Sequence, residues 1–316
     1  MSYKLNKIDN EKNISIKNII KILNDNKINC QIIDIKYHNF KKVFIKIKEN
    51  EEIYFLKLCL DPYSINLSKN ENIGYSYFAL ENKLNFKLPH FKLININENY
   101  GLSKIKLVDG KKGKYFDFYK FYPTNLKYEL DNIQLKDYIS LINNKFNIKN
   151  NDLINKAIDK FLKKFGEYDI PLDVSHGDFI HWNTIRSLEK NYIIDLEFFE
   201  KKRPYLYDYF HWFLTPIINK MIKFDLNFPL INSPNFIIIK ILKLGLKKRF
   251  NQIIIRNKIL FRLLLVLFTL ERYLVLDEII NLKNINYLVD QKEKKQTLKH
   301  MNILFKLLLK FTKDAF

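Results

Sequence analysis

The feature that most constrains this chain is a change of character near Pro123. Ahead of it, short runs rich in β-branched and aromatic residues alternate with polar turns. Cys30–Lys36, Val43–Lys48 and Ile53–Leu60 are three such runs, and Glu49–Glu52 separates the last two, the pattern of an antiparallel meander. A short amphipathic helix is expected over about Ile14–Leu23 and a longer helix over about Ser68–Asn82. Strand-like segments follow at Phe91–Ile96, Ser103–Leu107 and Tyr115–Tyr122, with turns at Asn97–Gly101 and Asp109–Gly113. Behind Pro123 the spacing is helical at Leu135–Phe146 and Asp152–Phe165, and almost everywhere from Tyr205 onward. A strand-rich front and a helix-rich back predict an α+β chain in two parts, residues 1–122 and 123–316.

One stretch interrupts the helical text. Val174–Glu197 contains a hairpin pattern, Thr184–Arg186 with Tyr192–Leu196 closed by Ser187–Asn191, and just before it polar residues crowd into Ser-His-Gly-Asp-Phe-Ile-His-Trp-Asn. Polar side chains gathered this way cost free energy unless they are satisfied or bind something, so chemistry is sought here. Phosphoryl transfer asks for a carboxylate at the acceptor hydroxyl, oxygen ligands for a divalent ion, and a cation on the phosphates. Asp178 stands in a loop flanked by His176 and Asn183, and Asp195 ends the apolar run Tyr-Ile-Ile-Asp. A hairpin between them would bring Asn183 and Asp195 side by side, converging hard oxygen ligands on one cation. Taken singly, Asp178 and Asn183 could be turn caps. Their order and spacing with Asp195 favour the site.

The stretch His-Gly-Asp-Phe-Ile-His-Trp-Asn at 176–183 resembles the catalytic loop H-G-D-x-x-x-x-N of the aminoglycoside phosphotransferase and choline kinase-like family. Ile-Asp-Leu-Glu at 194–197 resembles its metal-binding segment, and Arg-Pro-Tyr-Leu-Tyr-Asp at 203–208 its next segment, where a Pro precedes a structural Asp. The resemblance implies a protein-kinase-like bilobal fold, with a small antiparallel-sheet N-lobe and a larger, mostly helical C-lobe. It also implies an enzyme that uses ATP and Mg²⁺ to phosphorylate a hydroxyl of a small molecule. Asp178, with His176 ordering its loop, would orient and deprotonate that hydroxyl. Asn183 and Asp195 would hold Mg²⁺, Glu197 would add a contact from the same strand face, and Asp208 would brace the loop. Lys57, odd among the apolar neighbours of Ile-Tyr-Phe-Leu-Lys-Leu, would bind the α- and β-phosphates and pair with Glu71; Lys120, Phe121 and Tyr122 would form the hinge at the adenine. The family's glycine-containing phosphate turn has no counterpart in His38-Asn39-Phe40-Lys41-Lys42. Lys41 or Lys42 would then supply charge where backbone amides cannot approach. The alternative that this departure motivates is a kinase-like binding protein with weak or no turnover.

Composition narrows the partners. A formal net charge of +20 from 54 Lys and Arg against 34 Asp and Glu suggests anionic ligands. Lysine is spread along the whole chain, however, and the abundance of Lys, Asn and Ile fits A- and T-rich codons, so nucleic acid is not the expected partner. The apolar run Ile253–Leu276 is broken by Arg256, Lys258, Arg262, Glu271 and Arg272, and a buried helix is expected rather than a membrane span. Cys30 and Cys59 show no pairing or metal spacing, and the N-terminus has no apolar leader, which points to a cytoplasmic chain with reduced thiols. The wording Gly-Asp-Phe with Trp-Asn, and Asp-Tyr-Phe-His-Trp downstream, looks most like members associated with bacterial cell-surface polysaccharide synthesis. That resemblance implies a sugar or polyol acceptor, with peripheral membrane contact where the acceptor rides a membrane-bound carrier.

Overall fold

A computed structural model describes residues 14–38, 42–80, 86–114, 117–121, 130–146, 152–188, 190–223, 257–285 and 291–314. The front folds as expected into an antiparallel meander. β1 (Gln31–His38), β2 (Lys42–Glu49) and β3 (Glu52–Cys59) run in order, and β5 (Gly101–Lys106) and β4 (Phe91–Ile96) complete a five-stranded sheet ordered β1-β2-β3-β5-β4. The β2–β3 connection places Asn50 and Glu51 at φ of 48° and 65°, the two left-handed positions of a tight hairpin whose twist matches its strands. β3 is therefore central, and Lys57 sits in its middle between Phe44 and Ser103.

Helix α1 (Ile16–Asp25) begins at a Ser15 cap that accepts from the Asn18 amide. It buries Ile19 and Leu23 against Val43, Ile45, Ile47, Leu56, Leu58 and Leu102. Each such side chain, fully removed from water, contributes about 1.5–3 kcal/mol. Helix α2 spans Pro62–Leu80 and starts well before the expected Ser68. The reason is local: the Asp61 carboxylate accepts from the amides of Tyr63 and Ser64, and Pro62 takes the first helical position, where no amide is needed. α2 buries Tyr75 and Phe78 in the larger core of the back half, with Phe86 and Phe199.

The back half has two small sheets and a set of helices. β7 (Asp131–Gln134), β8 (Asp169–Ser175) and β11 (Glu200–Pro204) form one sheet, ordered β11-β8-β7. β6 (Lys111–Lys112), β9 (Thr184–Arg186) and β10 (Asn191–Ile193) form the other. Helices α4 (Leu135–Phe146) and α5 (Asp152–Phe165) match the expected spans, and α6 (Tyr207–Lys223), α7 (Lys258–Ile285) and α8 (Gln291–Asp314) follow. α7 buries Phe261 and Leu263 to Phe268 without a break, as a helix hydrophobic on all sides must. Among the described residues no helix is long and apolar enough to cross a membrane. The N-terminal part of the apolar run, residues 253–256, lies outside the described residues.

One element departs from expectation. Where a strand was expected over Tyr115–Tyr122, residues Phe118–Phe121 form a single helical turn, α3. Phe118 and Phe121 are three positions apart and wholly buried, Phe118 edge-on to Phe179 and Trp212. A helical turn puts both rings on one face; a strand would split them. β6 pairs with β9, α3 packs on α6, and residues 107–110 connect β5 to β6.

Candidate active site

The loop after β8 is built by one buried carboxylate. Asp208, in the first turn of α6, accepts from Ser175 Oγ at 2.8 Å, from the His176 amide at 2.7 Å and from the Gly177 amide at 3.0 Å. Gly177 holds φ of +80°, and a Cβ there would lie 1.9 Å from the Phe198 carbonyl oxygen, so no other residue fits. His176 accepts from the Asp178 amide through Nδ1 at 3.3 Å and donates through Nε2 to the Ile194 carbonyl at 2.9 Å. This ties Asp178 to the segment that carries Asp195.

Asn183 ends a 3-10 turn (His181–Asn183). Its amide nitrogen donates to the Asp178 carbonyl at 2.9 Å and to Asp178 Oδ2 at 3.0 Å, which turns its Oδ1 the other way. Its own carbonyl accepts from the Ile194 amide at 3.0 Å. The β9–β10 hairpin thereby sets Asn183 beside Asp195. Asp195 itself has φ of +66°, an uncommon conformation for a residue with a side chain and one that concentrates at functional sites. That φ ends β10 at Ile193, so Asp195 and Glu197 do not share a strand face. They meet because both reach the same ammonium.

That ammonium belongs to Lys57. Its Nζ lies 2.9 Å from Glu71 Oε2, 3.2 Å from Asp195 Oδ1 and 2.8 Å from Glu197 Oε1. Burial opposes its charge, but Glu197, Glu71 and Asp195 overcome this and hold Lys57 well above the usual lysine range. Lys42 of β2 adds a second buried cation, 2.6 Å and 2.8 Å from the two oxygens of Glu197. Burial raises Glu197, yet Lys57 and Lys42 pull it down to about 2. Glu71 is pushed up to about 7 by its burial, a rise that Lys57 offsets and that Glu197 and Asp195 reinforce. Three carboxylates against two ammonium groups leave the cluster one positive charge short.

Exposure separates the members. Glu71 and Glu197 are buried, whereas the side chains of Asp178 and Asp195 keep 20% and 40% of their surface. The open carboxylates are the ones a ligand can meet. Among the described residues no three His, Cys, Asp or Glu side chains form a ready-made metal cage. Mg²⁺ does not need one, because it takes one or two carboxylates and completes its shell with water and phosphate oxygens. The exposed Asp195 carboxylate, with Asn183 held next to it through the Ile194 amide, fits such an ion.

Of the other sequence candidates, Phe121 is buried in the core beside Trp212, so its ring is closed to a ligand. Lys120 lies in α3; Lys41 and Tyr122 fall outside the described residues. The sequence reading missed three residues. Asn70 of α2 donates to the carbonyls of Glu197 at 2.7 Å and Phe199 at 2.9 Å, clamping the helix of Glu71 onto the segment of Glu197. A polar residue beside Glu71 was the signal available. His211 is wholly buried, and its Nε2 lies 3.3 Å from Asp178 Oδ1. Arg272 of α7 lies 3.3 Å from the same oxygen, and nothing local marks it.

No protein-family model and no curated protein matches the sequence. Among solved structures, the chain is similar to a thermostable mutant of aminoglycoside phosphotransferase APH(4)-Ia in its apo form, with a TM-score of 0.52 and 10% identity, covering 90% of this chain and 97% of that one. The same mutant line in a ternary complex with AMP-PNP and hygromycin B gives a TM-score of 0.52 at 11% identity over the same shares. At that identity the likeness speaks for the fold: this chain has the bilobal, protein-kinase-like α+β fold of the aminoglycoside phosphotransferases.

Proposed function

We propose that the protein is a phosphotransferase that moves the γ-phosphate of ATP to a hydroxyl of a small molecule such as a sugar, polyol or choline-like alcohol. The observation that carries this is the arrangement in which Lys57 meets Asp195, the Ile194 amide ties that segment to the Asn183 carbonyl, and the Asn183 side chain holds Asp178. It offers a phosphate cation, oxygen ligands for Mg²⁺ and an accessible carboxylate in one cleft. In this reading the five-stranded half holds the nucleotide and the helical half holds the acceptor.

Asp178 accepts the hydrogen bond of the acceptor hydroxyl and aims its oxygen, held by Asn183 on one side and the His176 loop on the other. Asn183 and Asp195 hold Mg²⁺, which when bound spreads the charge of the phosphates during transfer. Lys57, steered by Glu71, binds the non-transferred phosphates. Lys42, held beside Glu197, adds the positive field that a glycine turn would otherwise supply through backbone amides.

The test is ATP binding with and without Mg²⁺, together with ADP release in a panel of alcohols. Asp178→Asn is expected to lower turnover by about 10²–10⁴-fold, the range of a lost general base, with melting and ATP binding retained. Asp195→Ala is expected to abolish the Mg²⁺-dependent part of ATP binding. Near-normal turnover in the first variant sinks the reading. A second reading, a nucleotide-binding protein without turnover, draws on the buried Lys42–Glu197 pair and the glycine-free turn; Mg²⁺-dependent binding without ADP release from any alcohol would favour it.

A further inference from the structure

Both oxygens of Asp178 are taken. Oδ2 accepts from Asn183 at 3.0 Å and Oδ1 faces Arg272 Nη2 at 3.3 Å. The Asn183 contact belongs to the loop. The Arg272 contact is long for a charge-assisted pair, which prefers about 2.7–2.9 Å. Arg272 comes from α7, far away in sequence, and only 12% of its side chain is exposed. Among the described residues its Nε is buried with no partner. A largely buried guanidinium with an unpaired Nε and a stretched contact to Asp178 is poorly satisfied.

Its surroundings do not help. Among the described residues, His211 Nε2, wholly buried 3.3 Å from Asp178 Oδ1, has no hydrogen-bond partner, and neither has His300 Nε2 on α8. Burial, and next the field of Arg272, push His211 well below the usual histidine range and His300 down to about 3. Both imidazoles are therefore neutral. Arg272 is the fixed positive charge next to the open carboxylate. Across from it on α2, the Tyr63 hydroxyl is pushed up by burial and senses Glu278, Glu197 and Arg272.

An acceptor hydroxyl must compete with Arg272 for Asp178 Oδ1. A neutral alcohol gives the guanidinium nothing in exchange. A hydroxyl that carries a carboxylate or phosphate close by does: the anion takes Arg272, and Oδ1 is released to the hydroxyl. We infer that the acceptor is an anionic hydroxy compound, with Arg272 the specificity-determining residue that binds its carboxylate or phosphate. This rests on the phosphotransferase reading and names its substrate class.

The test compares matched alcohols: glycerol with glycerate and glycerol 3-phosphate, glucose with glucuronate and glucose 6-phosphate, and choline as the cationic member. Two measurements are made on the full chain: ADP release with Mg²⁺ and ATP, and the shift in melting temperature with the nucleotide site filled by Mg²⁺ and ADP. The anionic members are expected to lead both series. Arg272→Gln is expected to raise their KM by on the order of 100-fold, the size of a lost charge-assisted hydrogen bond, and Arg272→Lys to restore part of it. A merely structural arginine would change melting or kcat without altering the order of the alcohols. The inference is overturned if neutral or cationic members rank with the anionic ones, if Arg272→Gln keeps the wild-type ranking, or if no anion shifts the melting of the nucleotide-loaded protein. Failure of ATP to bind with Mg²⁺ would instead overturn the phosphotransferase reading itself.

Discussion

A carboxylate in this molecule is governed by what surrounds it. Glu197 meets two ammonium groups and is held ionised, whereas Asp173 on β8 meets almost nothing. Burial, with Asp208 adding to it and the Val174 amide opposing, pushes Asp173 up to about 7. Its folded value then lies above the unfolded one. Between about pH 4 and 7 the folded chain holds the extra proton, so this group's contribution falls as pH rises through that window. Asp173→Asn mimics the protonated form. Its gain in melting temperature over the wild type is expected to be near zero at pH 4 and largest at pH 8; a gain independent of pH would refute the assignment. At this scale the sequence was informative where chemistry is local. His176, Asp178, Asn183 and Asp195 lie within one stretch, and their placement follows from a loop and a hairpin. Arg272 and Asn70 reach the same place from remote helices, and no spacing encodes that.

Helices and hairpins were legible where a period or a turn dictates them. The β2–β3 meander and helices α4 and α5 follow from alternation or amphipathic spacing. α2 was read too short because its start is fixed by the Asp61 cap and not by apolar period. α3 was read as a strand because two Phe residues at a spacing of three fit either period in so short a run. α2 also shows how an element acts as a part. Asn70 fastens it to two carbonyls of the 197–199 segment, and Gly74 brings it so close that a Cβ would lie 2.9 Å from Phe199 Cβ. Asn70→Ala leaves those carbonyls without their donors and is expected to cost about 1–3 kcal/mol by denaturant melting. It should also raise the KM for ATP, because Glu71 loses its anchor. A loss of stability with an unchanged KM would show that the clamp is only structural.

Across the whole molecule, Lys42 and Lys57 come from the sheet half and Glu197 from the segment before β11, so buried ion pairs join the two halves. Removing one partner of such a pair leaves a charge poorly compensated. Lys42→Ala is expected to lower stability by about 1–3 kcal/mol and to make the 107–110 connection easier to cut in limited proteolysis; unaltered cleavage would argue against a joining role. Two of the many lysines in the composition are buried here, both paired with Glu197.

Lys57 already grips Asp195 and Glu197, and under the proposed phosphotransferase reading this sets the order of events. The ammonium already pairs with Asp195, the proposed Mg²⁺ ligand, so bare Mg²⁺ should gain little foothold. Only a polyanion can draw the lysine aside, and the ion should therefore enter as a complex with that polyanion. Titration calorimetry should record negligible heat for Mg²⁺ added alone and a strong response to the preformed Mg²⁺–ATP pair. Scattering should find the two halves already drawn together in the empty protein.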